Sequence, residues 1–101
     1  MNSLKKMVQK EKEVDVIATL YVASIKTVIS SRNFLLTQRQ IIYIHRVDEA
    51  LCLIDECHRQ VIQNDFINHN NKWWESIYPT ELYLKLRQQA VNSFLMHFYE
   101  A

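Results

Sequence analysis

Lys72-Trp73-Trp74-Glu75-Ser76-Ile77-Tyr78-Pro79-Thr80-Glu81-Leu82-Tyr83-Leu84-Lys85-Leu86-Arg87-Gln88-Gln89-Ala90-Val91 decides the fold. Pro79 disfavours the helical region for Tyr78, so the chain bends there. Thr80 is then placed as the N-cap of a long helix reaching Tyr99. Tyr83, Leu86, Ala90, Val91, Phe94 and Phe98 recur on one face of it, with Lys85, Gln88, Gln89 and Asn92 outside. Before the bend, Lys72 to Ile77 reads as a short aromatic helix, and Asn64 to Asn71 as a polar loop anchored by Phe66 and Ile67. A short helix, a break and a longer helix is the layout of a helix-turn-helix.

Working outward, two further helices precede this unit. Leu4, Met7, Val14, Ala18, Tyr21, Ile25 and Val28 repeat at three-and-four spacing over Ser3 to Ser31, with Glu11 the one polar member of the stripe. Ile17 and Leu20 widen it, which suits a globular bundle better than a narrow two-stranded seam. The N-terminal lysines Lys5, Lys6, Lys10 and Lys12 oppose the helix dipole. Ser31 to Leu36 reads as a connection, and Thr37 with Gln40 as a capping box opening a second helix through residue 63. Its stripe is Ile41, Ile44, Val47, Leu51, Ile54 and Val61, flanked by Ala50, Leu53, Cys57 and Ile62. Asp55 and Arg59 form an i,i+4 acid-to-base pair. The expectation is an all-α protein: a small bundle of three long helices and one short one, ending in a helix-turn-helix-like unit. It is read as one domain over residues 1–101, divided at 1–36, 37–63 and 64–101, with the first two helices antiparallel.

Composition removes several classes of function. The 101 residues include no glycine and one proline, so phosphate-cradling glycine loops are excluded and helix ends must fall on Asn or other polar residues. With 12 basic and 11 acidic residues the net charge is +1, which argues against strong sequence-independent nucleic-acid binding. Cys52 and Cys57 lie about 140° apart around a regular helix and cannot bridge within one. Two buried, reduced thiols are expected, which suits a cytoplasmic protein. No signal peptide and no membrane-spanning run is read in the sequence.

Leu51-Cys52-Leu53-Ile54-Asp55-Glu56-Cys57-His58-Arg59-Gln60-Val61-Ile62-Gln63-Asn64-Asp65-Phe66 resembles the helix before the helix-turn-helix in the promoter-reading C-terminal domain of sigma factors. An apolar pair, an acidic cluster, an Arg and a second apolar pair recur there in that order. Trp73 to Val91 resembles the end of ArpU- and RinA-type phage late-transcription regulators. It is closer to a small uncharacterised mycoplasma-type family that shares Trp73-Trp74 and Phe94-Leu95. The resemblance covers residues 47–98. Pro79 replaces the turn Ser of those regulators, and Leu84-Lys85 replaces their Tyr-Arg pair. The resemblance implies a transcription regulator that binds double-stranded DNA or RNA polymerase. Thr80, Tyr83, Lys85 and Arg87 would face DNA, with Gln88 one turn after Lys85. Arg59 and Lys72 would extend the basic surface.

Two functional expectations follow. One is a non-enzymatic DNA-binding or transcription-machinery protein acting through its last helix. The other is an interaction module or homodimer, pairing through helix one or the last helix, with the helix-turn-helix vestigial. They differ in where the charges lie: Arg59, Lys72, Lys85 and Arg87 on one face favour DNA, and Glu75 and Glu81 breaking that face favour a protein partner. Trp73 and Trp74 are read as core and junction residues. His45-x-x-Asp48 and Asp55-x-x-His58 both lie on one helix, too few ligands for a di-iron bundle, so no metal and no cofactor is expected. No nucleophile is set beside a base on a structured loop, so no enzyme is expected.

Overall fold

The structure, a computed structural model, describes residues 2–100 and all their side chains except those of Asn2, Ser3, Leu4, Phe34 and Leu36. It is all-α: α1 (Asn2–Ser30), α2 (Phe34–Leu53), α3 (Glu56–Val61), a π-helix (Ile62–Ile67) and α4 (Thr80–Glu100). Three long α-helices and one short one are present, as the periodicity predicts. The short one is α3, not the expected helix at Lys72–Ile77.

Three local differences have physical causes. First, α2 begins at Phe34, three residues before the expected Thr37 cap. Asn33 Oδ1 accepts the Leu35 N–H at 3.1 Å, so Asn33 takes the cap position and Thr37 is buried inside the helix.

Second, the expected continuous helix through residue 63 breaks at Asp55, whose backbone is extended (φ −60°, ψ 151°). Arg59 receives the carbonyls left open at the end of α2: its Nε donates to Leu51 O at 2.8 Å, and its Nη2 reaches Cys52 O and Ile54 O, each at 3.4 Å. Glu56, in the first turn of α3, pairs with Arg59 Nη1 at 2.5 Å, replacing the expected Asp55 pair. The thiols flank this break. Cys52 is exposed and Cys57 half-buried, so the two buried thiols expected from the stripe are not found.

Third, residues 71–77 form successive turns rather than a helix. Lys72 has φ 60°, which no right-handed helix accepts. Trp74 O takes both the Ile77 N–H (2.9 Å) and the Tyr78 N–H (2.8 Å), and Pro79 stops further propagation. The Pro79 carbonyl accepts the Tyr83 N–H at 2.9 Å, so Pro79, rather than Thr80, holds the N-cap position of α4. Without glycine, the second left-handed residue is His69 (φ 51°).

Arg87 of α4 meets Glu11 of α1 beside the π-helix, and Tyr99 of α4 reaches Glu13, so α4 crosses α1 at a steep angle. Tyr21 of α1 reaches Asp48 of α2, and the Phe98 carbonyl accepts from Arg46. The short connection at 31–33 sets α2 antiparallel to α1. The core between them holds Val14, Ile17, Ala18, Val47, Ala50, Leu51, Ile62, Phe66 and, from α4, Ala90, Val91 and Phe94. Phe94 is 1% exposed and central to it.

The α1–α2 hairpin outruns this core. α4 stops near Tyr43 and Ile17, whereas α1 continues to Ser30. Between Thr19 and Arg46, Thr37 alone among the described side chains is buried. The molecule is correspondingly elongated, 47 × 30 × 21 Å with a radius of gyration of 14.8 Å. A compact chain of this length has about 13 Å.

Candidate functional site

Asp65 organises the end of the bundle where the sequence places the DNA contacts. It sits on the π-helix, whose wide turn is closed by Asn68 N–H to Gln63 O at 2.8 Å, a bond spanning five residues. Its Oδ1 accepts Trp73 Nε1–H at 2.8 Å. Its Oδ2 accepts the Tyr83 hydroxyl and Arg87 Nη1–H, the latter at 2.6 Å. Arg87 Nε turns to Glu11 Oε1 at 3.1 Å, and the guanidinium lies 4.6 Å from the centroid of the Phe66 ring. Trp74 stacks on Tyr83 (4.2 Å, 7° between planes) and Trp73 meets it edge-on. The two tryptophans are thus junction residues holding the 71–77 turns onto α4.

This arrangement redistributes the sequence-predicted contacts. Tyr83 is buried. Arg87 is paired with Asp65 and Glu11. Arg59 closes the end of α2. Lys72 is exposed and approaches Glu75 at 3.9 Å. Thr80, Lys85 and Gln88 do face outward on α4, but Glu81 stands on the same exposed helix, with Leu82 and Leu84 more than half exposed beside it. The four cations therefore do not form one outward face.

A different surface emerges on the hairpin arm. No Asp or Glu occurs between Val16 and Val47, while Lys26, Arg32, Arg39 and Arg46 do. Four of the 12 basic residues and none of the 11 acidic ones fall there, so this stretch carries +4 and the remainder −3. The arm also exposes apolar side chains: Ile29 at 79%, Leu35 at 76%, Ile42 at 68% and Leu20 at 51%. Beyond the end of α4, Leu20 and Ser24 of α1 face Arg39, Gln40 and Tyr43 of α2 across a groove of about 180 Å³. The Oε1 of Gln40 is buried and accepts no hydrogen bond. Tyr43 links groove and core: its ring meets Phe98 edge-on at 6.1 Å and its hydroxyl donates to Ile17 O at 3.1 Å. The acid-free run was the signal in the sequence that would have found this surface.

Tyrosines of the arm are shifted. Tyr21 is pushed up to about 12 by burial, then by its 2.5 Å hydrogen bond to Asp48 and the charge there. Tyr43 is raised by burial and by Tyr99, against an opposing effect of Arg46.

Among the described residues no group of three His, Cys, Asp or Glu side chains could hold a metal ion. No helix among them is long and apolar enough to cross a membrane. Comparison with protein families, curated proteins and solved structures finds no match.

Proposed function

We propose that this protein works by binding rather than catalysis, as a helical interaction module whose contact surface is the outer half of the α1–α2 hairpin. The observation that carries this reading is the arm itself. Past the end of α4 the hairpin carries the three most exposed large apolar side chains described, Ile29, Leu35 and Ile42, while Phe66, Ile67 and His69 stand against α1 near Ala18, Val22 and Lys26. Contiguous apolar surface left uncovered marks interaction sites. The Asp65 network supports a rigid body from which the arm is presented.

The test is a photo-reactive amino acid placed at Ile42 or at Leu84 in the source cells, with adducts identified by mass spectrometry. The Ile42 position is expected to give one dominant protein adduct, and Leu84 none. Adducts of equal yield and identity from both positions would remove the arm as the contact surface.

Direct docking of α4 on DNA is the second reading, supported by the outward Thr80, Lys85 and Gln88. It predicts salt-sensitive binding to a labelled random duplex pool, weakened in a Lys85→Ala/Gln88→Ala variant. Absence of binding at low salt would eliminate it.

A further inference from the structure

Resting on the reading of the arm as an interaction surface, we propose that its partner is an acidic amphipathic helix of another protein, lying in the groove between Leu20 and Tyr43. Arg32, Arg39 and Arg46 recur every seven residues. On a helix that spacing returns to the same face with about 20° of drift per repeat. Arg39 and Arg46 thus share one edge of α2, with Arg32 in the turn just before it. Tyr43 stands between the two helical arginines, at i+4 from Arg39. Arg39 lines the groove beside Tyr43, and Arg46 stands at its α4 end, donating to Phe98 O at 3.2 Å with its guanidinium 4.8 Å from the Phe98 ring centroid.

A partner helix matches each feature. Its apolar residues at i, i+3 and i+4 would cover Leu20 and Tyr43, as in helix-in-groove recognition. Carboxylates repeating at seven residues on its flank would meet these arginines. The groove starts where α4 ends, so the incoming helix would occupy over the arm the position that α4 occupies over the body.

Other occupants fit less well. A second copy pairing arm on arm would set one +4 stretch against another. Nucleic acid would leave Leu20 and Ile42 without apolar partners. A lipid surface entered from the tip would have to bury the exposed Arg32, and the cations are spread along the arm instead of gathered at one depth.

The experiment uses the full chain and a displayed library of roughly 20-residue helices, long enough to be helical alone, with surface positions randomised. Selection is run on the wild type, on Leu20→Asp/Ile42→Asp and on Arg32→Glu/Arg39→Glu, each first shown by circular dichroism to keep its helicity. Wild type is expected to enrich helices with Asp or Glu recurring at seven residues beside an apolar stripe. The selected helices should lose about tenfold or more in affinity for Arg32→Glu/Arg39→Glu. Their Lys-for-Glu versions should bind that variant and not the wild type.

Enrichment without acidic bias, abolished by Leu20→Asp/Ile42→Asp, would overturn the acidic-helix proposal and leave the arm as the interaction surface. No enrichment dependent on either double variant would overturn both. Binding to phosphatidylserine vesicles in place of any helix, or a concentration-dependent dimer in sedimentation that the double variants abolish, would replace the proposal with a lipid surface or a second copy.

Discussion

Glu11 Oε1 and Arg87 Nε meet at 3.1 Å although 76 residues separate them, and both interrupt otherwise apolar helix faces. Each alone would be a misplaced charge. Together with Asp65 they close the end of the bundle.

Removing one member leaves the others unbalanced. Arg87→Met is expected to cost about 2–4 kcal/mol, because the Asp65 side chain, 9% exposed, would keep its charge without a cation. Asp65→Asn in the same chain should recover part of this, with a coupling of about 1 kcal/mol or more in a double-mutant cycle read by urea unfolding. Additive costs would mean that the pair does not act as a unit.

Arg59 predicts a different signature. Arg59→Lys keeps the charge but cannot serve Leu51, Cys52 and Ile54 from one planar fork. A loss of about 1 kcal/mol is expected, with faster amide hydrogen exchange confined to the α2–α3 junction. Unchanged exchange there would show that the α2 end needs no cap.

Tyr21 makes stability depend on alkaline pH. Its folded pKa, about 12, lies above the ordinary tyrosine value of 10.0. The contribution is therefore complete below pH 10 and lost as the pH rises from 10 to 12, because the unfolded chain ionises first. Absorbance titration of the phenolates should show the last step disappear in Tyr21→Phe. A Tyr21→Phe profile that keeps this step would assign it to another tyrosine.

Lys72 carries a left-handed backbone without being glycine. Lys72→Gly removes that strain and loses only a contact to Glu75 at 3.9 Å. A gain of up to about 1 kcal/mol is expected in thermal unfolding, net of the extra freedom glycine has when unfolded. A clear loss would mean that the Lys72 side chain holds the turns in place.

Apolar periodicity made the long helices legible, since Val14, Ala18, Val47, Leu51, Ala90 and Phe94 all lie buried where the stripes place them. The break at Asp55 was hidden because Ile54 and Val61 stay buried on either side of it, and no Gly or Pro marks it. The aromatic turn at 71–77 looked helical because three-residue and four-residue hydrogen bonds place side chains at similar spacing. The inward direction of Arg87 was readable in principle: it lies four residues after Tyr83 on the inner stripe, as Glu11 lies on the stripe of α1. A cation in such a position suggests a buried partner before it suggests phosphate. Which acid it meets depends on packing across the chain, which local pattern does not encode.

The π-helix sets the angular phase of everything after it. A five-residue bond at Gln63–Asn68 accommodates one more residue per turn than an α-helix would. Winding 62–67 as ordinary α-helix with the same number of residues would turn the following chain by about 100°. Asp65 would then no longer face Trp73, Tyr83 and Arg87 together. The extra residue thus acts as an indexing step: it is by chain length, as much as by chemistry, that the aromatic turns and α4 close onto the bundle.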